Sequence, residues 1–109
     1  MKWVHLGRRM KLEAAVKSSD GAGGYVESWE VLGYIWADVR LRSGRERSGG
    51  VSETDYKIIV RASPMGAVSR PVPGQRFVEG LRRFLIEAVG DDDPKGKYLT
   101  CFVREELVT

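Results

Sequence analysis

Tyr34-Ile35-Trp36-Ala37-Asp38-Val39-Arg40-Leu41-Arg42 decides the fold class. Ile35, Ala37, Val39 and Leu41 alternate with Tyr34, Trp36, Asp38, Arg40 and Arg42. A period of two puts the first set on one face of an extended chain and the second on the other, whereas a helix would scatter both sets around its circumference. The stretch therefore reads as a long strand. Upstream, Met10, Leu12, Ala14 and Val16 alternate with Lys11, Glu13, Ala15 and Lys17 in the same way and form a first strand. Asp20-Gly21-Ala22-Gly23-Gly24 follows it as a turn, since glycine supplies positive φ and an aspartate can bind its own backbone. Tyr25 to Leu32 is rich in aromatic and β-branched residues but alternates poorly, and an extended segment or an irregular turn around Glu30 both fit it.

Downstream, Arg42-Ser43-Gly44-Arg45-Glu46-Arg47-Ser48-Gly49-Gly50 has no apolar side chain, so no core can hold it, and residues 42–53 read as an exposed, mobile loop. Tyr56 to Arg61 is the next strand, ended by Ser63-Pro64-Met65-Gly66 because proline cannot donate to a ladder. A connection runs through Pro71 and Pro73. Beyond it, Leu81, Leu85, Ala88 and Val89 share a helical face, yet the same residues also suit a hairpin with Glu79-Gly80 as its turn; the turn chemistry favours the hairpin. Gly90-Asp91-Asp92-Asp93-Pro94-Lys95-Gly96 is a turn, and Tyr98 to Arg104 a final strand. Strands without intervening helices predict one all-β domain over residues 1–109: a small antiparallel β-barrel or sandwich of five to six strands with one long exposed loop.

The chain of 109 residues is 42% hydrophobic and 30% charged, with a formal net charge of +3. No run of about 18 apolar residues is present to span a bilayer as a helix. Met1 to Arg9 lacks the apolar stretch of a secretory leader, which predicts a chain made and kept in the cytoplasm. The lone Cys101 cannot form an internal disulfide, and with the lone His5 it supplies no zinc site. A serine or cysteine nucleophile needs a base within reach, and His5 sits at a terminus, so no catalytic residue, metal or cofactor is expected. Asp91, Asp92 and Asp93 lack calcium-loop spacing, and Gly21 to Gly24 lacks the strand, helix and Gly-Lys-Ser/Thr context of a phosphate loop. Trp29, Tyr34 and Trp36 near arginines suit either a stacking platform for single-stranded nucleic acid or, more commonly, a core or subunit interface. Arg40, Arg42, Arg45 and Arg47 place four guanidinium groups within eight residues, offset only by Asp38 and Glu46, a composition suited to phosphate oxygens.

Leu12-Glu13, Asp20-Gly21-Ala22-Gly23-Gly24, Trp29, Trp36-Ala37-Asp38-Val39, Ser43-Gly44-Arg45-Glu46, Tyr56-Lys57-Ile58-Ile59-Val60-Arg61, Phe84-Leu85-Ile86 and Cys101-Phe102-Val103-Arg104-Glu105, in this order, resemble the head-closure (head–tail joining, or stopper) proteins of tailed bacteriophages and gene transfer agents. The Arg61-Ala62-Ser63 exit and the Glu79-Gly80-Leu81-Arg82-Arg83 lead depart from the usual pattern. The resemblance implies a β-barrel that joins a ring of itself, six copies preferred and twelve the alternative. That ring would sit in the particle neck between the portal-bound adaptor protein and the tail terminator protein, after assembly in the bacterial cytoplasm. It further implies an axial loop that retains packaged double-stranded DNA, here Arg42, Ser43, Gly44, Arg45, Glu46, Arg47, Gly49 and Gly50. The rival expectation is a free single-stranded nucleic-acid-binding β-barrel, which would bind as a monomer with strong salt dependence.

Overall fold

The computed structural model describes residues 3–47, 51–91 and 93–108. Six antiparallel strands form a closed barrel: β1 (Arg8–Ser19), β2 (Tyr25–Arg47), β3 (Val51–Arg61), β4 (Arg76–Glu79), β5 (Arg82–Gly90) and β6 (Tyr98–Val108), in the order β1-β2-β3-β6-β5-β4. The alternating residues that predicted strands fill its interior. Met10 and Leu12 of β1, Ala37 of β2, Ile58 and Val60 of β3, Phe77 of β4, Phe84 and Ile86 of β5, and Leu99, Cys101 and Val103 of β6 make one buried cluster. Burial also pushes the Cys101 thiol up to about 12, so it is a packed side chain and no thiolate.

Tyr25 to Leu32 is strand, continuous with the run that follows it, and a bulge explains why it alternates poorly. Leu12 faces Gly33 but Glu13 faces Val31, which leaves Leu32 as an extra residue. The inward phase therefore changes from even to odd numbers at this point: Leu32 and Ile35 both pack on the core, while Tyr25, Val31, Tyr34 and Trp36 lie exposed outside. A second register shift lies between Leu41 and Ser43. At about 3.3 Å per residue β2 would run about 75 Å if straight, yet the longest dimension of the fold is 50 Å. Bulges bend the strand that carries them, and β2 has two.

Two predicted segments need correction. Residues 42–47 and 51–53 are strand rather than loop: β2 runs on to Arg47 and β3 starts at Val51, paired Ser43 to Asp55, Gly44 to Thr54, Arg45 to Glu53, Glu46 to Ser52 and Arg47 to Val51. Backbone hydrogen bonds hold this ladder, and they need no apolar side chain. The hairpin at 76–90 forms rather than the helix, but its turn is Gly80-Leu81, not Glu79-Gly80. Glu79 pairs with Arg82, Gly80 takes φ 60° where a Cβ would be strained, and Leu81 stands 91% exposed at the tip.

Both ends of the barrel extend beyond their neighbours. β4 pairs with β1 only at Lys11, Leu12 and Glu13, so Ala14–Ser19 and Tyr25–Glu30 project as a two-stranded arm. Its turn is held by Asp20, whose Oδ1 accepts from the N–H groups of Ala22 at 2.8 Å and Gly24 at 3.0 Å. At the other end β1 stops opposite Ala37 and β5 stops opposite Glu105, so β2, β3 and β6 continue alone as a three-stranded ribbon.

Candidate functional site

The ribbon carries the described residues of the expected axial loop. Arg42, Ser43, Gly44, Arg45, Glu46 and Arg47 lie along the last turns of the β2 ladder; Gly49 and Gly50 lie outside the described residues. Arg42 packs its guanidinium 4.9 Å from the centre of the Phe102 ring, across β3, on the outer face of the sheet. Glu53 does not belong to an exposed loop that could pair with a neighbouring copy. It faces Arg45 of its own chain in register, is buried, and approaches Arg104 at 3.6 Å. Arg104 in turn lies 3.5 Å from Glu87 of β5, so a carboxylate–guanidinium–carboxylate chain ties the ribbon to the barrel.

The root of the ribbon is the barrel mouth, and it is built from charge. Glu105 continues the inward series Leu99, Cys101, Val103, and only 3% of it is exposed. A buried carboxylate is stable only if paired and hydrogen-bonded. Arg82, the first residue after the β4–β5 turn, supplies both: its Nε donates to Oε2 at 2.8 Å and its Nη2 to Oε1 at 2.9 Å. The same guanidinium donates to the Tyr56 hydroxyl at 3.2 Å and lies 4.9 Å from the centre of the Phe84 ring. The paired carboxylate raises the Arg82 pKa, so the guanidinium stays protonated. Beside it Arg8 and Glu79 form a second two-pronged pair, with Nε to Oε2 at 3.0 Å. On the β2 side Asp38 accepts from the His5 backbone N–H at 3.0 Å and from Arg40 at 3.0 Å, while Arg40 also bonds the Trp3 carbonyl, strapping the N-terminal segment across the strand.

Arg8 and Glu79 give a prediction. The Arg8 hydrogen bond outweighs partial burial and holds the Glu79 carboxyl below its usual range. A depressed folded value means the pair stabilises the fold above the unfolded pKa of about 4.3 and loses that contribution as pH falls through the folded value. Glu79→Gln should therefore melt below the parent protein at pH 7, by no more than about 1 kcal/mol at this partly exposed site, and match it at pH 2.5. Thermal melts of both proteins across that range are the measurement; a gap that does not change with pH would mean the pair is idle.

Among the described residues no group of three or more His, Cys, Asp or Glu side chains converges on a point that could hold a metal ion. Asp93 is committed to its own turn, where Oδ2 accepts from the Lys97 N–H at 2.7 Å. The predicted tryptophan and tyrosine set does not enter the core: Tyr34 and Trp36 are exposed on the outer face of β2, and Trp29 lies partly covered by Arg76. The mouth network of Tyr56, Glu79, Arg82 and Glu105 escaped the sequence reading. One signal for it was present, because Glu105 keeps the inward phase of β6 and an inward carboxylate demands a cation.

A family model described as phage head completion protein matches residues 1–106. Among solved structures, a chain of "Virion of native gene transfer agent (GTA) particle" superimposes with a TM-score of 0.86 at 45% sequence identity, with all of both chains covered. No curated protein matches the chain.

Proposed function

The chain belongs to the phage head completion protein family and is a head-related structural protein of phage-like particles; from that premise we propose that it closes the head as a ring in the neck. In this reading the ring sits between the portal-bound adaptor and the tail terminator, six copies preferred, and carries the Arg42–Glu53 hairpin of each copy toward the axis. The observation that carries the reading is the three-stranded ribbon. It projects past the barrel, bears Arg42, Arg45 and Arg47 along one short hairpin, and is braced at its root by the Arg82–Glu105 and Arg104 ion pairs. Several such hairpins converging on an axis would set a dense guanidinium cluster against the phosphates of packaged double-stranded DNA. The related virion chain, alike over its whole length, supports placement of this one in the particle itself.

The test is omission. Cells that assemble the particle without this chain should accumulate heads that package DNA and then lose it, together with free tails that fail to attach. Negative-stain counts of filled, empty and tailed heads measure it. Normal tailed, filled particles in its absence would refute a closing and joining role.

A further inference from the structure

Beyond the neck reading, on which this inference rests, we propose that the outer face of β1 and β2 is the surface that grips the next copy of this chain, on the Glu87 and Asp91 side of its barrel. Tyr25, Val31, Tyr34 and Trp36 expose their side chains along one face of β2, with Tyr34 58% and Trp36 55% accessible. A small fold that leaves an aromatic row outside, rimmed by arginine, has the composition of an interface centre rather than of ordinary surface. The rim is cationic. Arg9 faces Trp36 and lies 4.3 Å from the Tyr34 ring centre, and Lys11 faces Tyr34. The carboxylates around this rim are each matched by a cation of their own: Glu13 is buried and bound by Arg76 at 2.7 Å, Glu79 pairs with Arg8, Asp38 pairs with Arg40, and Glu27 faces Lys17.

A face that carries net positive charge repels its own image, so a two-fold contact of this patch with itself is disfavoured. It needs a different, acidic surface. In the barrel order β5 is three strands from β2 in both directions, so the β5 side lies diametrically across from this patch. That side presents Glu87 and Asp91, both exposed, at the end of β5. A contact between two different faces on opposite sides of one molecule is heterologous, and repeated head to tail it generates a ring where the rotation between copies closes. A nucleic-acid strand is the weaker occupant, because the Trp29 and Tyr34 rings are already covered by Arg76 at 3.9 Å and by Arg9, which leaves few free ring faces for bases.

A carbodiimide couples lysine ammonium to carboxylate with no spacer, and Lys11 cannot reach Glu87 or Asp91 of its own chain through the barrel. Treatment of intact particles should therefore yield a Lys11 peptide joined to a Glu87 or Asp91 peptide, which can only come from two copies. Trp36→Ser should lower incorporation into particles about tenfold, as loss of an aromatic anchor does, while its melting temperature stays at the parent value. Lys11→Glu should also fail to incorporate, and Lys11→Glu with Asp91→Lys in the same chain should regain it. If the parent chain is in the particle but the cross-link is missing and Trp36→Ser incorporates normally, this interface is wrong and the neck reading stands. If the parent chain is absent from particles, the neck reading falls, and the same cross-link in concentrated purified chain decides the interface alone. Binding of a single-stranded oligonucleotide that Trp36→Ser abolishes would overturn the inference in favour of nucleic acid.

Discussion

Replacing Arg82 by Ala should lower the stability of the isolated protein by about 2–3 kcal/mol, toward the lower end of what loss of one partner costs a buried ion pair. The reason is the partner it leaves behind. Glu105 is 3% exposed with its carboxylate pointing into the mouth, and each of its oxygens accepts a bond from Arg82. The Arg82 side chain itself is 40% exposed, and water screening of that half places the figure below the full cost of an interior pair. The substitution also removes the bond to the Tyr56 hydroxyl and the guanidinium packed on Phe84. For a domain of this length the loss corresponds to a melting temperature lower by roughly 10–15 °C. Arg82→Lys should fall between, because an ammonium keeps the charge and cannot make the two-pronged contact. Arg82→Leu combined with Glu105→Leu should recover most of the loss, since neither member of the mouth pair is then left as a buried, unpartnered charge. Urea unfolding of the four proteins measures this; an Arg82→Ala protein within 0.5 kcal/mol of the parent, a margin typical of ordinary surface changes, would show that the mouth pair bears no structural load.

That pair also shows where sequence reading stops. The barrel was legible because Met10 and Leu12, Ile35 to Val39, and Leu99 to Val103 each keep period two over several residues, and the closed order joins them as expected of an all-β chain. Tyr25 to Leu32 was illegible because a bulge at Leu32 resets the phase, and a bulge is a property of the pair, not of one strand. Residues 43–47 looked like loop because apolar content was the criterion, whereas their order comes from backbone ladders to β3 and through it to β6. Leu81 kept a helical alternative open beside the favoured hairpin. An apolar residue beside Leu85 suggested a buried helical face, but Gly80 at positive φ places Leu81 on the tip of a two-residue turn. Glu105 announced that a cation was needed; that Arg82 supplies it follows only from the register of β5 on β6, which sets Phe84 against Glu105.

Shortening the β2–β3 hairpin should leave the fold nearly intact and empty the heads. Replacing residues 44–54 with Asn-Gly joins Ser43 to Asp55, a facing pair, through the two-residue turn that antiparallel strands prefer. The β3–β6 ladder from Asp55–Arg104 inward is kept in this variant. Arg104 keeps Glu87 when Glu53 is removed, and β6 from Glu105 onward loses the strand beside it. A melting temperature within a few degrees of the parent is expected, because the deleted ladder lies outside the core cluster. In particles, on the proposed neck reading, the shortened chain should assemble and accept tails while the filled fraction falls several-fold, since the arginines proposed to meet the DNA are gone. Arg45→Ala with Arg47→Ala should give an intermediate loss that deepens as salt rises, because the contacts left to hold phosphate are then fewer and screening weakens each of them. The measurement is the ratio of filled to empty heads after purification at low and moderate salt, for the parent, the double substitution and the shortened hairpin. Equal filled fractions in all three would remove the hairpin from DNA retention and leave the barrel as a spacer that joins head to tail by its faces alone.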